Sequence, residues 1–223
     1  MLVGNNSCPP LNGVNISGAQ KLSRCRAATE AITRALTASA DMKLVVLSFF
    51  GNYFLDTDFA ADHLNHRGPS TMSLSRSASN HGDSKEELFF DGLDKTISAL
   101  ETAGKTVVIV VDIPELPFLP RDKLRRTSNI QVLSRETSVP ESTVRERQSR
   151  LRAGIEKLKS SHPPLVVYDP SDFLCDGDTC HVILGDTLVY RDSHHLSTSG
   201  SKLFAEHFLA ELRTSGRMWQ GLN

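Results

Sequence analysis

Lys43-Leu-Val-Val-Leu-Ser-Phe-Phe50 is a near-continuous apolar run that stops at Gly51-Asn52-Tyr53. A run this short, rich in Val and Leu and closed by turn residues, reads as a β-strand covered on both faces, as in parallel sheets. Upstream of it, Met1 to Gly4 reads as the end of another strand. Ala19 to Ala38 has helical periodicity, with Leu22, Cys25, Ala28, Ile32 and Leu36 on one face. Downstream, Asp56 to Asp83 is a polar loop rich in Ser, Asn and His. A helix is expected from Ser84 to Ala103, with Leu88, Phe89, Leu93, Ile97 and Leu100 along its apolar stripe and Gly104 as its C-terminal cap. Thr106 to Ile113 and Leu165 to Tyr168 are two further buried strands. Between them, Leu116 to Pro140 has no regular pattern, and Glu141 to Ser160 is a charged helix with Val144, Leu151, Ile155 and Leu158 inward. Leu184 to Tyr190 fits a small hairpin around Gly185-Asp186. The alternation of strand and helix specifies a doubly wound α/β fold with a mainly parallel sheet, in one domain over residues 1–223. Ligands of such folds bind beyond the carboxyl ends of the strands, which marks Gly51-Asn52, Asp112 to Glu115 and Asp169.

Composition narrows the function classes. The 223 residues are 39% hydrophobic and 23% charged, ordinary for a globular domain with one sizeable core. A formal net charge of -1 supplies no electrostatic reason to expect nucleic acid or an anionic membrane as partner. Arg121, Lys123, Arg125 and Arg126 form a basic cluster without interleaved aromatics, which reads as a solvated face. No stretch approaches the roughly 18 consecutive apolar residues of a membrane span, and Met-Leu-Val-Gly-Asn-Asn is not a signal peptide.

Four cysteines, Cys8, Cys25, Cys175 and Cys180, form one pair near each end, neither with the close spacing of zinc ligands. Two local disulfides, Cys8–Cys25 and Cys175–Cys180, are the simplest pairing; four buried free thiols are the alternative. On the loop-entropy model the longer loop contributes roughly 3 kcal/mol and the shorter roughly 2.

The chemistry-bearing stretch is Tyr190-Arg-Asp-Ser-His-His-Leu-Ser-Thr-Ser-Gly200, followed by the apolar-periodic Leu203, Phe204, Ala205, Phe208, Leu209 and Leu212. A carboxylate at Asp192, three residues before the imidazole of His195, can fix its tautomer and stabilise its protonated form. That is what a general base serving a hydroxyl needs. His194 is the neighbouring stand-in, and His63, His66 and His81 lie scattered in the polar loop as surface histidines.

Asp192-x-x-His195-Leu196-Ser197-x-x-Gly200 resembles the last block of the SGNH hydrolases and acyltransferases. Cys8-Pro9-Pro10-Leu11, Cys25, the Val108 to Glu115 strand ending in Pro-Glu, Asp169-Pro170-x-x-Phe173-x-Cys175-Asp176-x-x-x-Cys180 and Leu188-Val-Tyr-Arg-Asp extend the likeness. Together they resemble the extracytoplasmic SGNH domain fused to acyltransferase-3 membrane proteins, which O-acetylate bacterial surface polysaccharides. The resemblance implies a three-layer, flavodoxin-like SGNH fold. His195 would be the base, Asp192 its orienting partner, and Asn52 with Gly51 the oxyanion site, although the family's Gly-x-Asn-Asp is not present as such. No cofactor and no metal are implied. The implied partners are an acetyl donor delivered by a membrane acyltransferase domain and a polysaccharide acceptor, on the periplasmic face of the inner membrane.

The nucleophile departs from the pattern. The family's Gly-Asp-Ser lies at the tip of a first strand upstream of Cys-Pro-Pro, and the chain begins almost at Cys8-Pro9-Pro10. The expectation is a domain lacking that strand and its serine, inactive alone. Gly82-Asp83-Ser84 is a decoy: it follows a polar loop, and Ser84-Lys85-Glu86-Glu87 is a capping box that makes Ser84 a helix cap. Gly4-Asn5-Asn6-Ser7 is a weaker one. The rival reading is a carbohydrate-binding or assembly module on the same fold that has lost its catalysis.

Overall fold

A computed structural model describes residues 8–18, 24–57, 72–76, 82–124, 134 and 137–214. The expected strand at Met1 to Gly4, Leu22, His63, His66, His81, Arg125, Arg126 and Gly4-Asn5-Asn6-Ser7 lie outside these residues. Strand and helix alternate, and the Leu44–Ser48, Thr106–Val110 and Val166–Tyr168 strands form a parallel sheet in that order. Leu44 stands opposite Thr106 and Val46 opposite Val108, while Val108 stands opposite Val166. Parallel pairing needs crossovers. The Lys85–Thr102 helix makes the first and the Ser149–Ser161 helix precedes the third strand. No described helix is long and apolar enough to cross a membrane.

The chain divides into two units that interleave in sequence: Met1–Asp56, Ser70–Val111 and Arg150–Tyr168 make the first, and Thr57–Pro69, Asp112–Ser149 and Asp169–Asn223 the second. The first holds the parallel sheet and its own core. Leu88, Phe89, Leu93, Ile97 and Leu100 of the Lys85–Thr102 helix are buried with Val107, Ile109, Leu151, Ile155 and Leu165. The start of that helix is a full capping box: the Ser84 Oγ accepts from the Glu87 amide at 3.1 Å, and the Glu87 carboxylate accepts from the Ser84 amide at 2.8 Å. Its end turns on Gly104 at φ +72°, a backbone angle that favours glycine. Ser84 is therefore committed as a cap.

Three sequence expectations about these elements need correcting. The helix at Cys25–Ala38 buries Cys25, Thr29 and Thr33 rather than the Ala28 and Ile32 face. The Cys8–Cys25 disulfide ties that face to the Cys-Pro-Pro loop. Thr29 Oγ1 then donates to the Pro9 carbonyl and Thr33 Oγ1 to Asn12 Oδ1. The Leu44–Ser48 strand is covered on one face only: Val45 and Leu47 are buried, whereas Val46 is 41% exposed. Last, the helix expected as one piece from Glu141 is two, Glu141–Arg147 and Ser149–Ser161. The break is at the buried Gln148, whose Nε2 donates to the carbonyls of Asp112 and Ile113.

The second unit has its own core of Leu116, Val139, Val144, Leu174, Cys180, Val182, Val189 and Tyr190. It is built from short pieces. Val139–Pro140 pairs antiparallel with Thr179–Cys180, and the hairpin around Gly185 pairs Ile183–Leu184 with Thr187–Leu188. The Cys175–Cys180 disulfide staples the loop between the short Ser171–Leu174 helix and that strand. Such small elements bury little apolar area each, and cross-links are what small cores commonly use instead.

Candidate active site

The second unit presents the Asp–His pair on a turn closed from both sides. Tyr190 and Leu196 form an isolated antiparallel bridge, and the Arg191 amide donates to the His195 carbonyl at 2.8 Å. Tyr190 is fully buried, and its hydroxyl donates to the Pro114 carbonyl at 2.8 Å; burial pushes its pKa up. The Ser193 carbonyl accepts from the Leu116 amide at 2.8 Å, tying the middle of the turn to the segment after the Pro-Glu pair. Beyond the turn, Ser197 Oγ donates to the Leu188 carbonyl at 2.7 Å and accepts from the Gly200 amide at 2.9 Å. That serine starts the Thr198–Thr214 helix. Gly200 has no freedom to be anything larger, because a Cβ there would lie 2.1 Å from the Val189 carbonyl oxygen.

Within this frame the Asp192 carboxylate is a hub. Its Oδ1 accepts from the backbone amides of His194 and His195 at 3.1 and 2.9 Å. The His195 Nδ1 lies 2.9 Å from Oδ1 and 3.0 Å from Oδ2, and Arg191 Nε and Nη2 reach Oδ2 at 3.2 and 3.1 Å. Burial pushes the Asp192 carboxyl up. The His194 amide, the His195 ring and the two neighbouring imidazoles outweigh it and hold the carboxyl at about 2. Asp192 is thus an anion throughout the physiological range, and its bond to Nδ1 leaves His195 Nε2 as the nitrogen that can exchange a proton with a substrate. The His195 side chain is 51% exposed and Asp192 29%. An oriented, charge-supported imidazole open to solvent can act as a general base on a hydroxyl.

The expected oxyanion residues lie in the first unit. Gly51 and Asn52 open the short Gly51–Phe54 helix directly after the Leu44–Ser48 strand. A Cβ on Gly51 would come within 2.7 Å of Leu151 Cδ1, so glycine here lets that helix pack against the strand-covering Ser149–Ser161 helix. Asn52 is buried at 1% exposure. Asp112 and Glu115 are buried in the second unit, and Asp169 Oδ1 accepts from the Ser171 amide at 2.9 Å, starting the Ser171–Leu174 helix. Both expected disulfides are formed.

Two participants, Arg191 and Ser193, had no sequence signal, and a third, His194, was expected only as a stand-in for His195. Arg191 reads as a surface charge, yet it pairs with the carboxylate that holds His195. The buried Ser193 places its Oγ 2.9 Å from His194 Nδ1. The His194 ring lies beside that of His195, centroids 4.2 Å apart. Asp192, His194 and His195 each offer a ligand atom within 4.8 Å of the others, a grouping among the described residues that could hold a metal ion.

Comparison with known proteins bears on the family and the fold. The family described as "SGNH domain (fused to AT3 domains)" matches residues 1–210. The solved periplasmic domain of a lipopolysaccharide acetyltransferase from Salmonella ser. Paratyphi A is similar in fold, with a TM-score of 0.56 at 15% identity, over 92% of this chain and 69% of that one. No curated protein matches.

Proposed function

Because the chain belongs to the SGNH domains that are fused to AT3 domains, we propose that it is the acyl-transfer domain of a membrane-linked O-acetyltransferase acting on bacterial surface polysaccharide. The observation that carries this reading is the Asp192 carboxylate held on both oxygens against His195 Nδ1. His195 Nε2 takes the proton from a serine hydroxyl as that oxygen attacks an acetyl carbonyl. It returns the proton to the leaving group, and later removes one from the acceptor sugar hydroxyl that receives the acetyl. Asp192 stabilises the imidazolium formed at each of these steps. Asn52, with Gly51, is proposed as the oxyanion donor, on the strength of its burial and its place directly after a parallel strand.

The nucleophilic serine is proposed to come from a segment other than residues 1–223. The reason is that the serine of Gly82-Asp83-Ser84 is spent on both arms of a capping box. The acetyl donor is proposed to be a membrane acyltransferase domain of the same protein, and the location periplasmic. The test is acetyl transfer to a polysaccharide acceptor, followed by NMR of the acetyl esters, with the chain alone and with a serine-bearing segment added. Transfer is expected only with that segment, and is expected to disappear in His195→Ala. Transfer by the chain alone that Ser84→Ala abolishes would overturn the external serine. Transfer indifferent to His195→Ala would overturn the base.

A further inference from the structure

We propose that Asp192, His194 and His195 bind a divalent transition metal of the zinc class, and that the bound metal takes His195 out of its role as base. The second half rests on the acyl-transfer reading; the first does not. Two imidazoles and one carboxylate are a borderline ligand set, suited to zinc, copper or nickel rather than to magnesium or calcium. Tetrahedral zinc with bonds of about 2.0–2.1 Å holds its ligand atoms about 3.3 Å apart. The atoms here bracket that spacing: His195 Nδ1 is 2.9 Å from Asp192 Oδ1, His194 Nδ1 is 3.8 Å from it, and all three residues offer ligand atoms within 4.8 Å of one another. Side-chain rotation therefore suffices to close the set.

The backbone around it is already fixed by the Arg191–His195 hydrogen bond, the Tyr190–Leu196 bridge and the Leu116 bond to the Ser193 carbonyl. A preformed turn lowers the ordering cost of binding. Arg191 on Asp192 Oδ2 is the kind of outer contact that orients a metal ligand, and the Ser193 Oγ contact with His194 Nδ1 is the bond that coordination by that nitrogen displaces. Three protein ligands leave a coordination position for water, and the 51% exposure of the His195 side chain gives an entry path. Coordination by His195 Nδ1 replaces its bond to Asp192. The imidazole then has neither its orienting carboxylate nor the freedom to carry a second proton. Another His–carboxylate pair in the second unit, His181 with Asp176 at 2.9 Å, brings only two ligands and serves as an internal control.

The experiment is titration of the untagged protein with zinc sulfate in competition with a chromogenic chelator. One equivalent is expected to bind in the micromolar range. His194→Ala should weaken binding at least ~10-fold, as the loss of one of three ligands requires, and His181→Ala should leave it unchanged. Magnesium at the same concentration should not compete. Absence of stoichiometric binding, or binding unaffected by His194→Ala but lost in His181→Ala, overturns the site. Should His194→Ala fail to fold, the ring proton signals of His194 and His195 in the unmutated protein decide the matter. Both must move with the first equivalent of zinc, and a shift at His181 alone overturns the proposal. If zinc binds as stated while His195→Ala leaves acetyl transfer intact, the acyl-transfer reading fails and the metal site stands; if zinc does not bind while His195→Ala abolishes transfer, the outcome is the reverse.

Discussion

Replacing Asp192 by Asn keeps the shape of the side chain and one carbonyl oxygen for the His194 and His195 amides, but removes the charge that serves Arg191 and the His195 ring. The folded carboxyl sits at about 2 against an ordinary value of 3.8. A gap of just under two pH units at about 1.4 kcal/mol per unit is worth about 2.5 kcal/mol at most. Because the side chain is 29% exposed and Arg191 65%, solvent screening brings the expectation down to about 1–2 kcal/mol. The folded pKa is depressed, so this stability is fully present above the unfolded value near pH 4 and is lost as pH falls toward 2. The asparagine has nothing to lose over that window. The assay is urea unfolding of both proteins at several pH values, followed through the amide signals of Arg191 and Leu116, which both donate in this turn. The stability difference should be about 1–2 kcal/mol at pH 7 and shrink toward zero near pH 2. A difference that is constant with pH, or grows in acid, would refute the account of the carboxylate as the charged hub of the turn.

His162 lies between Glu101 at 2.8 Å from Nδ1 and Asp94 at 2.9 Å from Nε2. Burial lowers its pKa, the two carboxylates raise it, and the carboxylates win. Its contribution should therefore be complete below the unfolded value of 6.5 and decline as pH rises through the folded value, and His162→Gln, read by thermal unfolding at pH 6 and pH 9, should cost more at pH 6. Gly200→Ala puts a methyl group against a backbone oxygen that cannot rotate away; a loss of about 1–3 kcal/mol is expected from such overpacking. It should be accompanied by movement of the His195 ring signals, and unchanged signals would show that the contact is not holding the turn. Val46→Lys, on the exposed face of the Leu44–Ser48 strand, should change stability by less than about 0.5 kcal/mol. Self-association through an uncharged strand edge should be suppressed by this lysine, and sedimentation velocity of the two proteins at matched concentrations distinguishes that from a monomer that never associates.

What was legible in the sequence was what is decided within a few residues. The Ser84 cap and the stripe from Leu88 to Leu100 follow from spacing alone, and the structure has them in those places. The Asp192–His195 contact is of the same kind, since a separation of three residues in a tight turn brings carboxylate and ring together without help from elsewhere. Strand positions were legible too, because an apolar run needs cover wherever it goes. The cover itself was not: whether Val46 meets a helix or solvent depends on elements far off in sequence.

The misses in the helices share one cause, a polar residue whose partner is distant. Thr29 and Thr33 defeat the periodicity of their helix because Pro9 and Asn12 receive their hydroxyls. Gln148, a good helix former by propensity, ends a helix because two carbonyls after the Thr106–Val110 strand take its side-chain amide. The same holds at the candidate site. Asp192 and His195 announce themselves, whereas Arg191, Ser193 and His194 gain their roles only once Tyr190 is anchored to Pro114 and Leu116 has claimed the Ser193 carbonyl. A base and its carboxylate can be read from four letters; the rigidity that turns them into an oriented pair, and that holds three metal-competent side chains on one turn, is written in residues more than seventy positions away.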